Sequence, residues 1–323
     1  MARPRIDPLV WHAPKAGGPP RPGLPPLTLW QVPGHGPEDV LVTPDGILTG
    51  VDDGRVLRFT PDGRTIETVA DTGGRPLGLE THPDGILVCD ADRGLLLLRD
   101  GHIEVLIPAG PDLRVCNNAA VAADGTVYFS DSTSRFDLEF WRADMLEHSG
   151  TGRLLRRTPD GAVDVLLGGL HFANGVALTP DESAVIVAQT WEYRLDRVWL
   201  TGPRAGQSDV LVDNLPALPD NISLGTDGLI WIGMANPRDR RLDTLLRLPP
   251  AIRRLVWNLP DAIQPAITKT AWARAIDPTT GHTVHDLYGT PAGFYCATGV
   301  REHNGTVYLG SLEGDTIAHF TVP

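Results

Sequence analysis

Three cysteines in 323 residues, Cys89, Cys116 and Cys296, are too few and too widely spaced for a disulfide framework. One disulfide remains open to the chain. The count favours free thiols in a reducing cytoplasm, packed as small hydrophobes. Cys116 and Cys296 each stand one residue before a position singled out below, so they are candidates to line the same space. No apolar run reaches the roughly 20 residues a membrane helix needs. The Arg- and Pro-rich N-terminus lacks the continuous apolar stretch of a secretory signal. Positive charge is scarce as well. With 28 Lys and Arg against 40 Asp and Glu, the net charge is −12, which disfavours nucleic acid and anionic membranes as partners. The expected location is cytoplasmic and the expected partner a small-molecule substrate; nothing in the chain indicates an oligomeric state.

What is abundant is turn chemistry. The 35 glycines and 29 prolines suit many short strands joined by tight turns, in a chain whose 41% hydrophobic and 21% charged content is that of a globular protein. Residues 1–26 hold eight prolines and read as an extended surface arm. From residue 27 to 323 a repeat takes over as a single domain. Its inner turns are Asp45-Gly46, Asp84-Gly85, Asp124-Gly125, Asp181-Glu182, Asp227-Gly228 and Asn304-Gly305, and second turns follow at Asp62-Gly63, Asp100-Gly101 and Asp160-Gly161. Two hairpins per unit make four strands, and the first two spacings fit the ~40–50 residues of a propeller blade. Six inner turns predict an all-β, six-bladed β-propeller. The last unit has only about three strands, so the run 27–32 is expected to supply its outer strand and close the ring. Insertions near 132–152 and 235–267 interrupt the period with partly helical spacing, the second broken at Pro249-Pro250.

One offset recurs inside the repeat. Glu38, Asn117, Asn174 and Asp220 each lie seven residues before the turn aspartate of their unit; Leu77 and Ala297 take that place in the other two. If the strands radiate around a common axis, four side-chain oxygens converge near it. Two carboxylates and two amides, without His or Cys, suit a hard cation: Ca²⁺, which accepts 6–8 oxygens in irregular geometry, or another divalent ion. A single such residue is more often a strand cap; four at one offset are not. A cation there can polarise a carbonyl and acidify water, and Asp220 is the candidate general base. Trp191, Tyr193, Phe136, Phe140 and Trp141 fall in loops or insertions that could roof the tunnel and favour an apolar substrate.

Gly-Pro-Glu at 36–38, Arg-Pro-Leu-Gly-Leu at 75–79, Cys-Asn-Asn at 116–118, Phe-Ala-Asn-Gly-Val at 172–176, Leu-Pro-Asp-Asn-Ile at 218–222 and Val-Arg-Glu-His-Asn-Gly at 300–305 resemble the strictosidine synthase-like branch of the SMP-30/gluconolactonase superfamily. The resemblance runs from about residue 30 to the end. It implies a six-bladed propeller with calcium in the central tunnel, held by Glu38, Asn117, Asn174 and Asp220, with Asp220 also as base or nucleophile. True strictosidine synthases condense an amine with an aldehyde using a last-blade glutamate and no metal. Thr298 stands where that glutamate would be, and so joins the candidate substrate-binding residues. The expectation is a calcium-dependent lactonase or esterase. The alternatives are a metal-independent condensing enzyme and a non-catalytic binding propeller with structural calcium.

Overall fold

Asp-Gly and Asn-Gly doublets place two successive residues in the left-handed region, the twist that returns one strand antiparallel on its neighbour. Asp100-Gly101 (φ 51° and 77°) and Asn304-Gly305 (φ 50° and 79°) do this in the structure. In this computed structural model, which describes residues 3–16, 20–260 and 267–323, the described residues form six four-stranded antiparallel sheets. Each sheet starts from an innermost strand: Leu41–Thr43, Pro76–His82, Cys116–Val121, Ala173–Leu178, Ala217–Leu224 and Ala297–His303 for blades one to six. The fold is the expected six-bladed propeller. Its closure is also as expected: Thr28–Gln31 pairs antiparallel with Thr316–Thr321, from Thr28 opposite His319 to Gln31 opposite Thr316, and completes blade six.

Alternation along each strand gives both faces of a blade to its neighbours, so one apolar cluster fills each gap between blades. Between blades four and five, Ile186, Ala188 and Leu195 meet Ile222, Ile232, Met234 and Trp272. The closing gap between blades six and one is filled by Val40, Ile47, Leu57 and Phe59 against Ile317, with Trp30 packed on them.

The insertions are helical and lie outside this periodic core. The first contributes α1 (Trp141–Glu147), and the second α2 (Arg240–Arg247) and α3 (Pro250–Trp257), with Pro250 in the first turn of α3, where a missing N–H costs nothing. With the N-terminal arm they share a small core of their own: Ile6, Phe136, Ala143, Leu146 and Trp257. The arm threads between the helices. Leu9 N donates to Glu147 O, Trp11 N to Leu246 O, and Trp257 Nε1 to Pro4 O. Residues 3–16 and 20–27 contain no helix or strand beyond a bridge between Pro22 and Tyr288. Residues 1–2 and 17–19 of the expected arm, and 261–266 of the second insertion, lie outside the described residues.

Candidate functional site

The innermost strands do not run straight. Register breaks between Pro76 and Leu79, Cys116 and Ala119, Ala173 and Val176, Pro219 and Ile222, and Ala297 and Val300 leave two residues unpaired in each. Such bulges re-aim side chains. The first residue of each pair, Leu77, Asn117, Asn174, Asp220 and Thr298, faces one cavity of about 380 Å³, and Glu38 of blade one joins them there. All four oxygen-bearing residues of the seven-residue offset therefore meet on one floor. The offset fails in blade six, where the bulge holds Thr298 and not Ala297. The two-residue turn between His303 and Thr306 puts Asn304 one place earlier than the turn aspartates that follow proline in blades one and two.

The second residue of each pair builds the frame. Around the ring these are Asp39, Gly78, Asn118, Gly175, Asn221 and Gly299, so a polar side chain alternates with glycine. The polar side chains reach forward across the next blade's glycine: Asp39 Oδ2 accepts from Leu79 N and Asn118 Oδ1 from Val176 N, both at 2.9 Å. The glycines are obligatory for contact. A Cβ on Gly175 would sit 2.1 Å from Ile222 N, and one on Gly299 2.6 Å from Asp39 Cα. Asn221 Nδ2 instead donates to both carboxylate oxygens of Glu38 at 3.1 Å.

Proton accounting fixes which way the two floor amides point. Ser132 Oγ donates to Ala173 O at 2.8 Å, so its one hydrogen is spent and it must accept from Asn117 Nδ2 at 3.0 Å. In the same way Thr190 Oγ1 donates to Pro219 O at 2.9 Å and accepts from Asn174 Nδ2 at 3.2 Å. Both amide oxygens are thus turned into the cavity, where they are buried with no hydrogen-bond partner. Beside them stand two carboxyls. Burial, then the neighbouring charges of Asp220 and Asp39, push Glu38 well above the usual carboxylate range, against the pull of Arg75 and Asn221. Burial pushes Asp220 up to about 7, partly offset by the Asn174 amide and the Asn221 N–H. Two unpaired acceptor-only amide oxygens and two carboxyls that resist sharing the space as anions are what a divalent cation would satisfy.

Above the floor the walls are apolar. Phe172, Trp191, Leu218 and Ile267 line the cavity, and the insertions add Leu138, Trp141, Met145 and Leu242. Trp191 is anchored by its indole N–H on Asp144 of α1 (3.0 Å) and is stacked with Trp141 at 6.0 Å. Arg142, Arg238, Asp239 and Glu313 supply charge around these walls.

Three of the expected roof residues lie elsewhere. Phe136 is buried in the core shared by the arm and the insertions, because helices standing off the propeller need apolar side chains to hold them together. Phe140 packs against the same core. Tyr193 is 1% exposed in the cluster between blades four and five; its hydroxyl donates to Asp243 Oδ1 at 2.9 Å and Arg238 covers its ring. Cys296 lines the cavity, whereas Cys116 is packed between blades two and three. Glu302, the acid nearest Thr298 in sequence, is turned to the far end of blade six, where it accepts from Thr226 Oγ1 and from Asp227 and Gly305 N. Arg114 and Arg135 are paired with Asp137 and Glu147. Sequence reasoning missed Phe172, Arg238 and the framing ring. Phe172 was visible only as two-before-Asn in Phe-Ala-Asn-Gly. The ring was readable in the doublets Glu-Asp, Asn-Asn and Asp-Asn alternating with Leu-Gly, Asn-Gly and Thr-Gly.

Comparison with known proteins converges on the same fold. Residues 117–203 match the strictosidine synthase family and residues 24–59 the N-terminal part of strictosidine synthase-like proteins. The chain is 33% identical over 309 residues to the adipocyte plasma membrane-associated protein of Salmo salar, covering 86% of this chain and 73% of that one. Against the Homo sapiens protein of that name the identity is 31% over 318 residues, covering 89% and 75%. Among solved structures, a gluconolactonase from Xanthomonas campestris superposes with a TM-score of 0.65 at 18% identity over 99% of both chains. A calcium-binding regucalcin from Agrobacterium tumefaciens does so at 0.62 and 14%, over 91% of this chain and 93% of that one. No helix among the described residues is long and apolar enough to cross a membrane. With a third of its residues shared along most of both chains, the protein belongs to the strictosidine synthase-like family that includes the adipocyte plasma membrane-associated proteins, and it shares the fold of the gluconolactonase propeller.

Proposed function

We propose that the chain is a calcium-dependent hydrolase of a lactone or ester. The observation that carries this reading is the pair of buried, unpartnered amide oxygens, Asn117 Oδ1 and Asn174 Oδ1, turned into the same cavity as Glu38 and Asp220. These four residues would hold the ion. When bound, a divalent cation supplies Lewis acidity at a carbonyl oxygen and lowers the pKa of water. The remaining chemistry belongs to the chain. The Asp220 carboxylate takes a proton from the water that attacks the carbonyl carbon. As the acyl C–O bond breaks, that proton passes to the leaving alkoxide, so a lactone opens to its hydroxy acid. Asp220 as the attacking nucleophile is the variant of this scheme. Thr298 Oγ1 donates to Glu38 O at 2.8 Å and so holds the peptide that carries one carboxylate. The walls built by Phe172, Trp191, Trp141 and Met145 exclude water and favour an apolar acyl or alcohol part. Blade six contributes Thr298 to this floor, where a metal-independent condensing enzyme would carry its acid; Glu313 of the same blade lines the cavity from the loop after Thr306–Ser311. The three free, buried thiols accord with a reducing cytoplasm as the place of action.

The test is hydrolysis of γ- and δ-lactones and aryl esters, each with calcium, after chelation, and after calcium is restored. Turnover that is lost and recovered with the ion supports the proposal. No turnover on any member, together with a large calcium-dependent rise in Tm, replaces it with a structural ion in a binding propeller.

A further inference from the structure

Outside the cavity, His148, His171 and Glu192 form a cluster that the proposed hydrolysis does not use. His148 ends α1 in a left-handed conformation (φ 54°). His171 directly precedes Phe172, and Glu192 directly follows Trp191. Both imidazoles present Nε2 to the same oxygen, Glu192 Oε1, at 3.3 and 3.5 Å, and one ligand atom from each residue lies within 4.8 Å of the others. The rings lie 4.2 Å apart between centroids, and the His148 side chain is 1% exposed.

We propose that His148, His171 and Glu192 bind a borderline transition-metal ion of the zinc(II) class, at a second site chemically distinct from the oxygen-only floor. The separations argue for an ion. Charge-assisted N–H···O bonds run about 2.7–2.9 Å, so 3.3 and 3.5 Å are slack for imidazoles donating to a carboxylate. With metal–N and metal–O bonds of about 2.0–2.1 Å, the edge of a coordination tetrahedron is roughly 3.3 Å. The donor set is also that of zinc and its neighbours in the first transition row: two imidazoles and one carboxylate, with a fourth position for water. The protonation states agree. Burial keeps both imidazoles below their ordinary value and therefore neutral at pH 7. Burial works to raise Glu192, but its hydrogen bond to His148, with the Arg194 guanidinium nearby, prevails and leaves it lowered, as a carboxylate.

Both Nδ1 atoms lack a partner. Metal-binding imidazoles usually donate that N–H to a carbonyl or carboxylate, so this site is expected to bind more weakly than one with a complete outer shell. Its place gives the ion a structural consequence. Trp11 of the arm lies on His148 at 4.4 Å, and Trp191, next to Glu192, is bonded to Asp144 of α1. A bound ion would tie α1, blade four and the arm together at one point.

The test uses the full chain, stripped by a chelator and saturated with calcium, titrated with zinc chloride by calorimetry. Co²⁺ absorption reports the geometry. Expected are one equivalent of zinc, a rise in Tm, and the visible bands of a tetrahedral Co²⁺ centre. His171→Ala, at a partly exposed position, and the near-isosteric Glu192→Gln should each lower zinc affinity by at least the ~10–100-fold that loss of an outer-shell partner costs. Asp220→Asn should leave it unchanged, which separates this site from the hydrolase floor. Absence of zinc binding by the wild type overturns the proposal. So does zinc binding that survives both His171→Ala and Glu192→Gln, or that is lost only in Asp220→Asn.

Discussion

On the tunnel floor, short side chains are held by the backbone of the next strand; in the cap of arm and helices, long side chains reach one another and the carbonyls of the arm. Asp39 and Asn118 accept from Leu79 and Val176 N, while Ser132, Thr190, Thr298 and Ser223 donate to Ala173, Pro219, Glu38 and Val300 O. Every one of these bonds crosses from one blade to another. In the cap, long side chains do the spanning: Arg238 with Asp243, Arg254 with Asp7, Tyr193 with Asp243, and Arg253 on the carbonyls of Leu146 and Leu9. Backbone-set positions repeat with the fold and are rigid, so the floor can hold a fixed donor geometry. Side-chain-set positions can shift without disturbing the strands below, so the cap is where substrate preference can change.

The largest expected effect tests the floor chemically. Asp220→Asn should reduce calcium-dependent turnover by about 10²–10⁴, the usual contribution of a positioned base, and abolish the calcium-induced rise in Tm. Without calcium its Tm should equal or exceed that of the wild type, because one of two mutually repelling carboxyls has gone. A large fall in calcium-free Tm, read by calorimetry, would mean that Asp220 is a structural strand cap.

Gly175→Ala tests the same floor mechanically. The added Cβ meets the Ile222 backbone N at 2.1 Å, a contact that no rotamer change relieves. The loss should reach or exceed the ~1–3 kcal/mol of an overpacked core, measured by urea unfolding, and calcium binding should fall with it. An equal insult in the cap, Trp257→Ala, removes a buried indole from the core of Ile6 and Phe136. It should loosen the arm to proteolysis while calcium affinity is kept. If both variants lower calcium affinity equally, floor and cap are one cooperative unit.

That contrast also explains what could be read from the chain. The blades, their closure by the strand Thr28–Gln31 and the convergence of Glu38, Asn117, Asn174 and Asp220 were legible because a repeat writes each feature several times. One slip, at Ala297, came from the two-residue turn of blade six, where Asn304 takes the first position that proline holds in blades one and two, so counting back seven lands one residue before the bulge. The cap is written once. Phe136 and Trp141 look alike in sequence, two aromatics five residues apart in one insertion. Only packing decides that Phe136 faces Trp257 while Trp141 faces the cavity. Tyr193 and Trp191 differ in the same way: two residues apart in a turn, one is sealed between blades and the other lines the wall.

A smaller effect sharpens the electrostatic side. Asp220 in the fold has a value of about 7 against an ordinary 3.8. Its neutral form stabilises the calcium-free fold fully below about pH 4, and this contribution is lost as pH rises through 7. Asp39 and Asp144, both raised to about 6 by burial, act in the same direction. Calcium needs the carboxylate, so its affinity should rise with pH over the same window, by about tenfold per unit below 7. Calorimetric Tm with and without calcium should therefore diverge as pH rises. Curves that stay parallel would remove Asp220 from the set of ion-binding groups.

The smallest expected effect lies at the edge between floor and cap. Trp141 is half-buried at the start of α1, stacked on Trp191 at 6.0 Å and covered by Arg142 at 4.5 Å. It lines the cavity and stacks on Trp191 of the wall, so Trp141→Ala removes apolar contact area and leaves the carboxyls, the amides and their backbone frame intact. Binding lost equally from ground and transition states raises KM and leaves kcat unchanged. A partly exposed indole on one wall corresponds to about 1 kcal/mol, or roughly a fivefold rise in KM for an apolar lactone. A polar lactone of the same ring size should be nearly indifferent. The ratio of the two KM changes then measures how far preference resides in the cap, and a fall in kcat instead would place α1 in control of the floor.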